Sequence, residues 1–304
     1  MSTPATATGR RAGHEGTHET SRSRTRSLSV VLALLGVGMG SAALLGPLAL
    51  EVMQYRTSPT TLNQLLGVDA TILFVLAPLT LVTAVLAGRG HQVAPPLASG
   101  LGVFAVYTYA QAVIGQEYLD LPGNVERFFP LLLAVFVLGG LALVLAWHAM
   151  PPTPPEPSPA LQRVAAWVLL LLAAFLVVGL HLPTMLTAWT DPQSMTEYAS
   201  APTPFWMVKL MDLGIIVPVA LGVGWGLLHG ADWALRVMYP LFTGYTCLAL
   251  SVTGMAFVML VKDDPDASLG LASGFAVFAL GFLLLTVRLY RPLMTPGRKG
   301  PTPD

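Results

Sequence analysis

Two aspartates lie within or beside long apolar stretches, and they are the residues of this chain best suited to chemistry. Asp69 follows Leu-Leu-Gly-Val, and Asp212 lies in the segment Met-Asp-Leu-Gly-Ile-Ile-Val-Pro. A charge at the centre of a bilayer costs at least about 2.5 kcal/mol, so such a carboxylate normally faces the interior of a helical bundle. Lys209 lies one turn before Asp212 and shares its helix face. Asp212 is therefore predicted either to pair with Lys209 or to bind a ligand or ion.

The two carboxylates are predicted to lie at different depths. Asp69 is predicted to open its helix, where an aspartate can cap free backbone amides. Asp212 is predicted to lie in a helix that starts at Trp206, about 9 Å along its axis at about 1.5 Å per residue. Capping is thus a sufficient explanation for Asp69, whereas Asp212 needs a partner inside the membrane.

Three further polar side chains are predicted to lie in the same half of the membrane. Tyr107 and Gln111 are four residues apart and therefore share one helix face. They either line a polar cavity or hydrogen-bond to neighbouring helices, for about 0.6 kcal/mol per bond. His181, just before Pro183, either joins this cavity or lies at the membrane interface.

The sequence predicts no catalytic residue and no metal site, and it identifies no cofactor. His148 and His181 are predicted at opposite ends of the membrane, so they cannot hold one haem or one metal ion together. The His-Glu pair at positions 14 and 15 lacks the second histidine of the zinc motif HExxH. The aspartates between positions 263 and 266 lack the spacing of a calcium-binding loop and are interpreted as a solvated acidic turn.

The composition indicates that membrane-spanning helices must position these residues. The 304 residues are 54% hydrophobic and 11% charged, with a mean hydropathy of +0.66, whereas soluble domains contain about 25% charged residues. A soluble globular enzyme is thereby excluded. Eight stretches approach the roughly 20 apolar residues that a spanning helix needs, and lipid forces them to be helical. They are 29–50, 69–88, 96–115, 129–149, 163–184, 206–229, 237–261 and 269–289. The predicted fold is all-α, a polytopic bundle of eight transmembrane helices.

The distribution of positive charge predicts the orientation. Lys and Arg residues are retained on the cytoplasmic side of a membrane. With the amino terminus inside, twelve of the sixteen Lys and Arg residues fall inside and four fall outside. Both termini are therefore predicted to be cytoplasmic, in a multi-pass protein of the plasma membrane. Because sixteen acidic residues balance sixteen basic ones, no overall charge favours a nucleic-acid partner.

Proline and glycine positions predict two halves. Residues 150–162 form a proline-rich cytoplasmic linker between a first four-helix half, 27–149, and a second, 163–290. Residues 1–26 are predicted to be a disordered cytoplasmic tail, and residues 291–304 a second cytoplasmic tail. The halves match in a series of residues, Pro47, Asp69, Pro78 and Gly90 in the first and Pro183, Asp212, Pro218 and Gly230 in the second. This match predicts a 4+4 parallel internal repeat, with chance alignment of common membrane residues as the alternative.

A set of short motifs resembles a known family. The segments GVD at 67–69, YTY at 107–109 and MDLGIIVP at 211–218, together with Pro78 and Asn124, occur in this order across most of residues 29–290. In this order and spacing the chain resembles a family of uncharacterised polytopic membrane proteins of bacteria and archaea. The resemblance implies the eight-helix architecture and supplies no activity. It adds Asn124 to the candidate residues and draws attention again to the two aspartates and to Tyr107 and Tyr109.

Three functions follow as hypotheses. The first is binding or transport of a small molecule, cation or lipid headgroup through an outward-facing polar cavity. The second is a membrane-embedded enzyme that acts on a lipid, with an aspartate as general base or metal ligand. The third is an accessory or scaffold subunit of a membrane complex. The candidate ligand-binding residues are Asp69, Tyr107, Gln111, Asn124, His181, Lys209 and Asp212. The lipid bilayer is the predicted partner, and the sequence does not determine an oligomeric state.

Overall fold

The computed structural model describes residues 9–294, with side chains from residue 25 onward. In this part of the chain, eight helices are long and apolar enough to cross a membrane. They are labelled α1 to α8 and comprise Thr25–Leu45, Pro59–Gly88, Ala94–Ile114, Val125–Ala149, Pro159–Thr190, Pro202–Leu228, Asp232–Val261 and Leu269–Met294. The predicted all-α, polytopic architecture with eight spanning helices is confirmed.

The connections lie at two ends of the bundle, which are named here by their contents. The loop end, predicted to be external, carries the segments 46–58, 115–124, 191–201 and 262–268. The linker end carries the segments 89–93, 150–158 and 229–231. Both aspartates belong to the loop-end half of their helices, because α2 and α6 each begin at that end.

Helices α2 and α6 begin earlier than predicted. Helix α2 starts at Pro59, where the hydroxyl of Ser58 accepts a hydrogen bond from the amide of Thr61. Proline suits the first turn of a helix because its missing N–H has no partner there. The prediction that Asp69 opens α2 and caps it is therefore wrong. Ser58 is the cap, and Asp69 lies inside the helix, ten residues after its first residue, Pro59.

The chain ends also differ from the prediction. The first helix extends back to Gly9, so most of the segment predicted as a disordered tail at 1–26 is helical, and residues 1–8 lie outside the described part. The chain contains no proline between Pro4 and Pro47, so no proline ends the helix in this segment. Of the predicted tail at 291–304, the residues up to Met294 belong to α8 and the others are not described.

Three spanning helices contain a π-helical segment. These segments are Ile72–Leu76 in α2, Phe175–His181 in α5 and Asp212–Ile216 in α6. In each of the three helices a proline lies two residues after the segment, and its missing N–H and its ring disturb the regular hydrogen-bond ladder. Short π segments widen a helix locally and are frequent at functional sites.

Helices α2 and α6 share a common frame. The π segment and the α-helix that follows it recur after 140 residues with equal lengths. Gly90 and Gly230, which have φ angles of 70° and 67°, continue this spacing. The same spacing pairs Asp69 with Lys209, so the two aspartates are not equivalent in the helix frame. The internal repeat itself stays a prediction.

The two halves meet where α7 crosses α2 and α3. Within the first half α1 packs on α2 and α4, and α3 packs on α4; within the second half α5 packs on α6, and α7 on α8. A Cβ atom on Gly67 would overlap the backbone of Gly254, and one on Gly100 would overlap Thr243. Glycine is thus required for α2 and α3 to approach α7 this closely. The α2 contact is two residues from Asp69 and fixes the height of its carboxylate.

The proline-rich linker is held against the bundle. The hydroxyl of Tyr239 donates to the carbonyl of Pro155 at 2.5 Å. The guanidinium of Arg236 donates to the carbonyls of Trp147 and Met150 at 2.8 and 3.1 Å. Helix α5 begins at Pro159, so the connection between the halves is shorter than the predicted range.

Candidate functional site

The carboxylate of Asp69 is reached by a loop that folds back into the bundle. In the segment 46–58, Met53 is fully buried and Tyr55 is 9% exposed. The Tyr55 hydroxyl lies 3.2 Å from each carboxylate oxygen of Asp69. A Cβ atom on Gly46 would lie 2.9 Å from Oδ2 of Asp69, so the backbone of the loop also approaches this carboxylate.

Asn124 holds this loop in place. Its side-chain amide donates to the carbonyl of Val52 at 3.0 Å, and its side-chain oxygen accepts from the amide of Gln54 at 2.8 Å. A backbone bond from Asn124 to the carbonyl of Gln54 at 3.0 Å completes the clamp. Asn124 therefore positions the Tyr55 loop and does not contact Asp69 or line the cavity beside it.

Asp69 lies apart from the basic side chains that the structure describes. Its residue is 5% exposed, and within residues 25–294 no Lys, Arg or His nitrogen lies within 4 Å of its carboxylate. Tyr109 lies close enough to interact electrostatically with Asp69, while its hydroxyl donates to the carbonyl of Met39 at 3.4 Å. A buried carboxylate with a single hydrogen-bond donor and no counter-charge is costly unless it binds a proton or a cation.

A cavity of about 90 Å³ lies beside Asp69. Its lining combines polar side chains with aromatic and aliphatic groups of the surrounding helices. The lining includes Tyr55, Thr61, Gln64, Leu65, Asp69, Thr108, Tyr109, Gln111, Gln116, Glu197, Met207 and Met255. Because one water needs about 10 to 15 Å³, this volume holds several waters or a small organic ion.

Acidic side chains hold the loop end together above this cavity. Glu197, on the short helix Thr196–Ser200, interacts with Gln64 of α2, and burial raises the pKa of Glu197. Glu117 accepts hydrogen bonds from the amide and hydroxyl of Thr203 at 2.7 and 2.8 Å, at the first turn of α6. Asp264 is 6% exposed and accepts from the Asn63 side chain at 2.8 Å. The prediction of a solvated acidic turn is therefore wrong at Asp264.

Asp212 belongs to a second, separate cluster. The hydroxyl of Tyr107 donates to one oxygen of Asp212, and Nε2 of His181 lies 2.9 Å from the other. None of these three residues lines the Asp69 cavity. Tyr107 of α3, His181 of α5 and Asp212 of α6 thus meet in a cluster that is separate from the Asp69 cavity.

Lys209 does not form the predicted ion pair with Asp212. Its ammonium lies 3.1 Å from the centre of the Phe205 ring, and the residue is 7% exposed. The described side chains include no Lys209 contact to a carboxylate within 4 Å, although Lys209 interacts electrostatically with Glu197 and Asp212. A stacked cation over an aromatic face is stabilised without a direct carboxylate contact.

His181 presents one unused nitrogen. The residue is 3% exposed, and Nδ1 has no hydrogen-bond partner among the described residues. The carboxylate of Asp212 favours the tautomer in which Nε2 carries the hydrogen and donates it. Nδ1 is then a free lone pair inside the protein.

Helix α3 carries side chains that face Asp69 and side chains that face Asp212. Tyr107 and Gln111 share the predicted face, and Tyr109 points towards Asp69 on another face. Gln111 lines the Asp69 cavity and also interacts with the hydroxyl of Tyr107. A change in the cavity can therefore reach Asp212 through two side chains of one helix.

Several polar residues of the cavity were not predicted from the sequence, Tyr55, Gln64 and Glu197 among them. These three lie in or next to polar connections, which are typical of solvated loops. One signal was available for Tyr55. It lies only a few residues after the first apolar stretch, so its side chain must stay near the membrane. In the described part of the chain, no three His, Cys, Asp or Glu side chains form a group that could hold a metal ion.

The geometry of both clusters is known from this chain alone. The resemblance to uncharacterised polytopic membrane proteins stays a prediction. Comparison with protein-family models, with curated proteins and with solved structures finds no match to this chain.

Proposed function

We propose that this membrane protein binds a small organic cation in the Asp69 cavity and transports it across the bilayer. One observation carries the proposal, which is a 5% exposed carboxylate beside a cavity, with no basic group of the described residues 25–294 within 4 Å to neutralise it. A cation in the cavity supplies the missing charge. The attraction is strong because the surroundings are poorly polarisable.

The lining supports an organic cation over a metal ion. Tyr55 and Tyr109 bring aromatic rings, and Met207 and Met255 bring polarisable apolar groups. Aromatic faces attract alkylammonium ions. A hard metal cation such as Ca²⁺ takes six to eight oxygen ligands, carboxylates among them, and within the described residues no three His, Cys, Asp or Glu side chains come together.

The arrangement of the helices supports transport. The cavity lies between α2 and α3 of the first half and α6 and α7 of the second half. Transporters built from two halves place their ligand between the halves and use interrupted helices near it. The π segments of α2 and α6 interrupt helices on both sides of this cavity.

Binding of radiolabelled methylammonium to the purified protein in detergent tests the proposal. The Asp69→Asn variant keeps the size and polarity of the side chain and removes its charge. We expect it to bind at least about tenfold more weakly, a loss of about 1.4 kcal/mol. The matched control is Asp191→Asn, which removes an exposed carboxylate of the loop end and should leave binding unchanged.

Transport is tested separately in proteoliposomes. Vesicles loaded with unlabelled methylammonium should accumulate the labelled ion by counterflow, and Asp69→Asn should abolish this. Equal binding by the wild-type and Asp69→Asn proteins, when circular dichroism shows that both are folded, would refute the site. Binding without counterflow would refute transport and leave a cation receptor.

A further inference from the structure

The Asp212 cluster has the components of a proton site. His181 is 3% exposed and carries an unpartnered Nδ1 among the described residues, while Nε2 faces Asp212 at 2.9 Å. The opposite oxygen of Asp212 accepts from Tyr107. The carboxylate is thus already oriented to stabilise an imidazolium, and the ring can gain a proton without moving its heavy atoms.

The charges around His181 favour this proton. The groups that face the cluster from the packed elements are Asp212 and Lys209 of α6, Glu197 of the short loop helix, Tyr107 of α3 and Tyr245 of α7. When both carboxyls are ionised, the cluster has two carboxylates and one ammonium, and its formal charge is one negative while His181 is neutral. Protonation of His181 brings the formal sum to zero. A poorly polarisable interior favours the neutral sum.

The cluster is also coupled to the cavity. Gln111 touches both, since it lines the cavity and interacts with the Tyr107 hydroxyl. A cation beside Asp69 adds positive charge near the cluster. This charge disfavours a second positive charge on His181.

We infer that His181, held by Asp212, carries a proton that is released when the Asp69 cavity takes up a cation. In the empty protein a proton from water forms a bond to Nδ1, and Nε2 keeps its hydrogen towards Asp212. Cation entry returns the Nδ1 proton to water, so one positive charge replaces another. The inference rests on the proposed function and makes the transport an exchange of an organic cation for a proton.

Proton release on binding tests the inference. Methylammonium is added to wild-type protein in weakly buffered detergent solution with a pH-indicating dye at about pH 6.5, where histidine ordinarily carries a partial charge. We expect release of up to about one proton per bound cation, as binding linkage requires. Release should decrease when the measurement is repeated at about pH 8.5, because histidine loses its proton as the pH rises. Binding with no proton release at either pH overturns the inference and leaves the proposed function intact.

The His181→Gln variant sharpens the result. Glutamine can still donate to Asp212 but has no titratable nitrogen. We expect it to bind methylammonium with less than about a tenth of the wild-type proton release. The matched control is His148→Asn, which removes an exposed histidine of the linker end and should release as many protons as wild type. Undiminished release from a folded His181→Gln protein overturns the inference.

A second readout needs no ligand. Nitrogen NMR of protein labelled at histidine distinguishes a neutral ring from a ring protonated on both nitrogens. The His181 signal is the one absent from His181→Gln, and it should acquire the doubly protonated form on going from about pH 8 to about pH 5. A ring that stays neutral throughout overturns the inference. Failure of methylammonium to bind to wild type would instead refute the proposed function.

Discussion

Asp69 and Asp212 lie in similar helices, but their carboxylates have different hydrogen-bonding partners. Each lies in a helix that combines a π segment with a proline. Among the described side chains, Asp69 is bonded only to the Tyr55 hydroxyl, whereas Asp212 is bonded to Tyr107 and His181. The first carboxylate is left available beside a cavity, and the second is tied into a network. Helices of the same construction thus hold one carboxylate that is free to bind a ligand and one that already has two hydrogen-bonding partners.

The register of each aspartate explains the difference. Asp69 precedes its π segment by three residues, whereas Asp212 begins its own. Three residues of α-helix rotate a side chain by about 300° and shift it by about 4.5 Å. In the common frame the two carboxylates are thus nearly one helical turn apart, about 60° apart in direction, and each meets what packs at its own height: Asp69 meets the loop at 46–58, and Asp212 meets α5.

The largest expected effect comes from the contact that fixes the height of Asp69. A Cβ atom on Gly67 would overlap the backbone of Gly254, which cannot move as a side chain can. We expect Gly67→Ala to lower the free energy of unfolding by about 3 kcal/mol. Thermal unfolding in detergent measures this loss.

The control for this contact is Gly222→Ala on α6. A Cβ atom on Gly222 would meet no other described atom within 4 Å, so alanine there should be neutral or slightly stabilising. Similar destabilisation by both substitutions would show that the contact of Gly67 with Gly254 does not determine the position of Asp69.

Neutralising the two carboxylates should have opposite effects on stability. Asp212→Asn weakens the bonds from His181 and Tyr107, and we expect a loss of about 2 kcal/mol because both donors are buried. Asp69→Asn removes a buried charge that lies apart from the described basic groups, so stability should be unchanged or rise by up to about 1 kcal/mol. Paired unfolding curves of the two variants test the contrast. A larger loss for Asp69→Asn would show that Asp69 is the structural residue of the two.

Removing the tyrosine hydroxyls tests the contrast from the donor side. Tyr55→Phe removes the hydroxyl donor of the Asp69 carboxylate, and we expect a loss of about 1.5 kcal/mol. Tyr107→Phe leaves Asp212 with His181, so its loss should be smaller, at about 0.5 to 1 kcal/mol. Tyr118→Phe, which removes an exposed hydroxyl bonded to a backbone carbonyl, is the control. Equal losses for Tyr55→Phe and Tyr107→Phe would remove the distinction between the sites.

The spanning helices were predictable from the sequence because lipid exposure acts on every residue of a hydrophobic stretch. The starts of α2 and α6 were misplaced. In α2 the first turns contain Thr60, Thr61 and Asn63, which face protein at the loop end. When hydropathy is averaged along the sequence, such polar residues look like part of the preceding loop, so the helix is predicted to start too late. Asp69 was consequently predicted at a helix terminus when it lies in the interior.

The partners of the aspartates were predictable only where they share a helix. Tyr107 and Gln111 were found by their spacing of four residues. The approach of Tyr55 to Asp69 depends on the fold of a loop, and the approach of His181 to Asp212 depends on how α5 packs on α6. Neither is a property of local sequence, so the division into two clusters could not be predicted.

The smallest expected effect concerns the short helix above the Asp69 cavity. Burial raises the pKa of Glu197, so its charged form is disfavoured in the folded protein. As the pH rises above about 4.5, the unfolded chain loses this proton first, and stability falls until the folded carboxyl has also ionised. Glu197→Gln should remove this loss and stabilise the segment by less than about 1 kcal/mol at neutral pH. Hydrogen exchange of residues 191–201 measures it, with exposed Glu156→Gln at the linker end as the control. Exchange that slows as the pH rises, after correction for the intrinsic rate, would show instead that the Glu197 charge stabilises the loop end, so that this carboxylate of the cavity lining, unlike Asp69, would be a stabilising one.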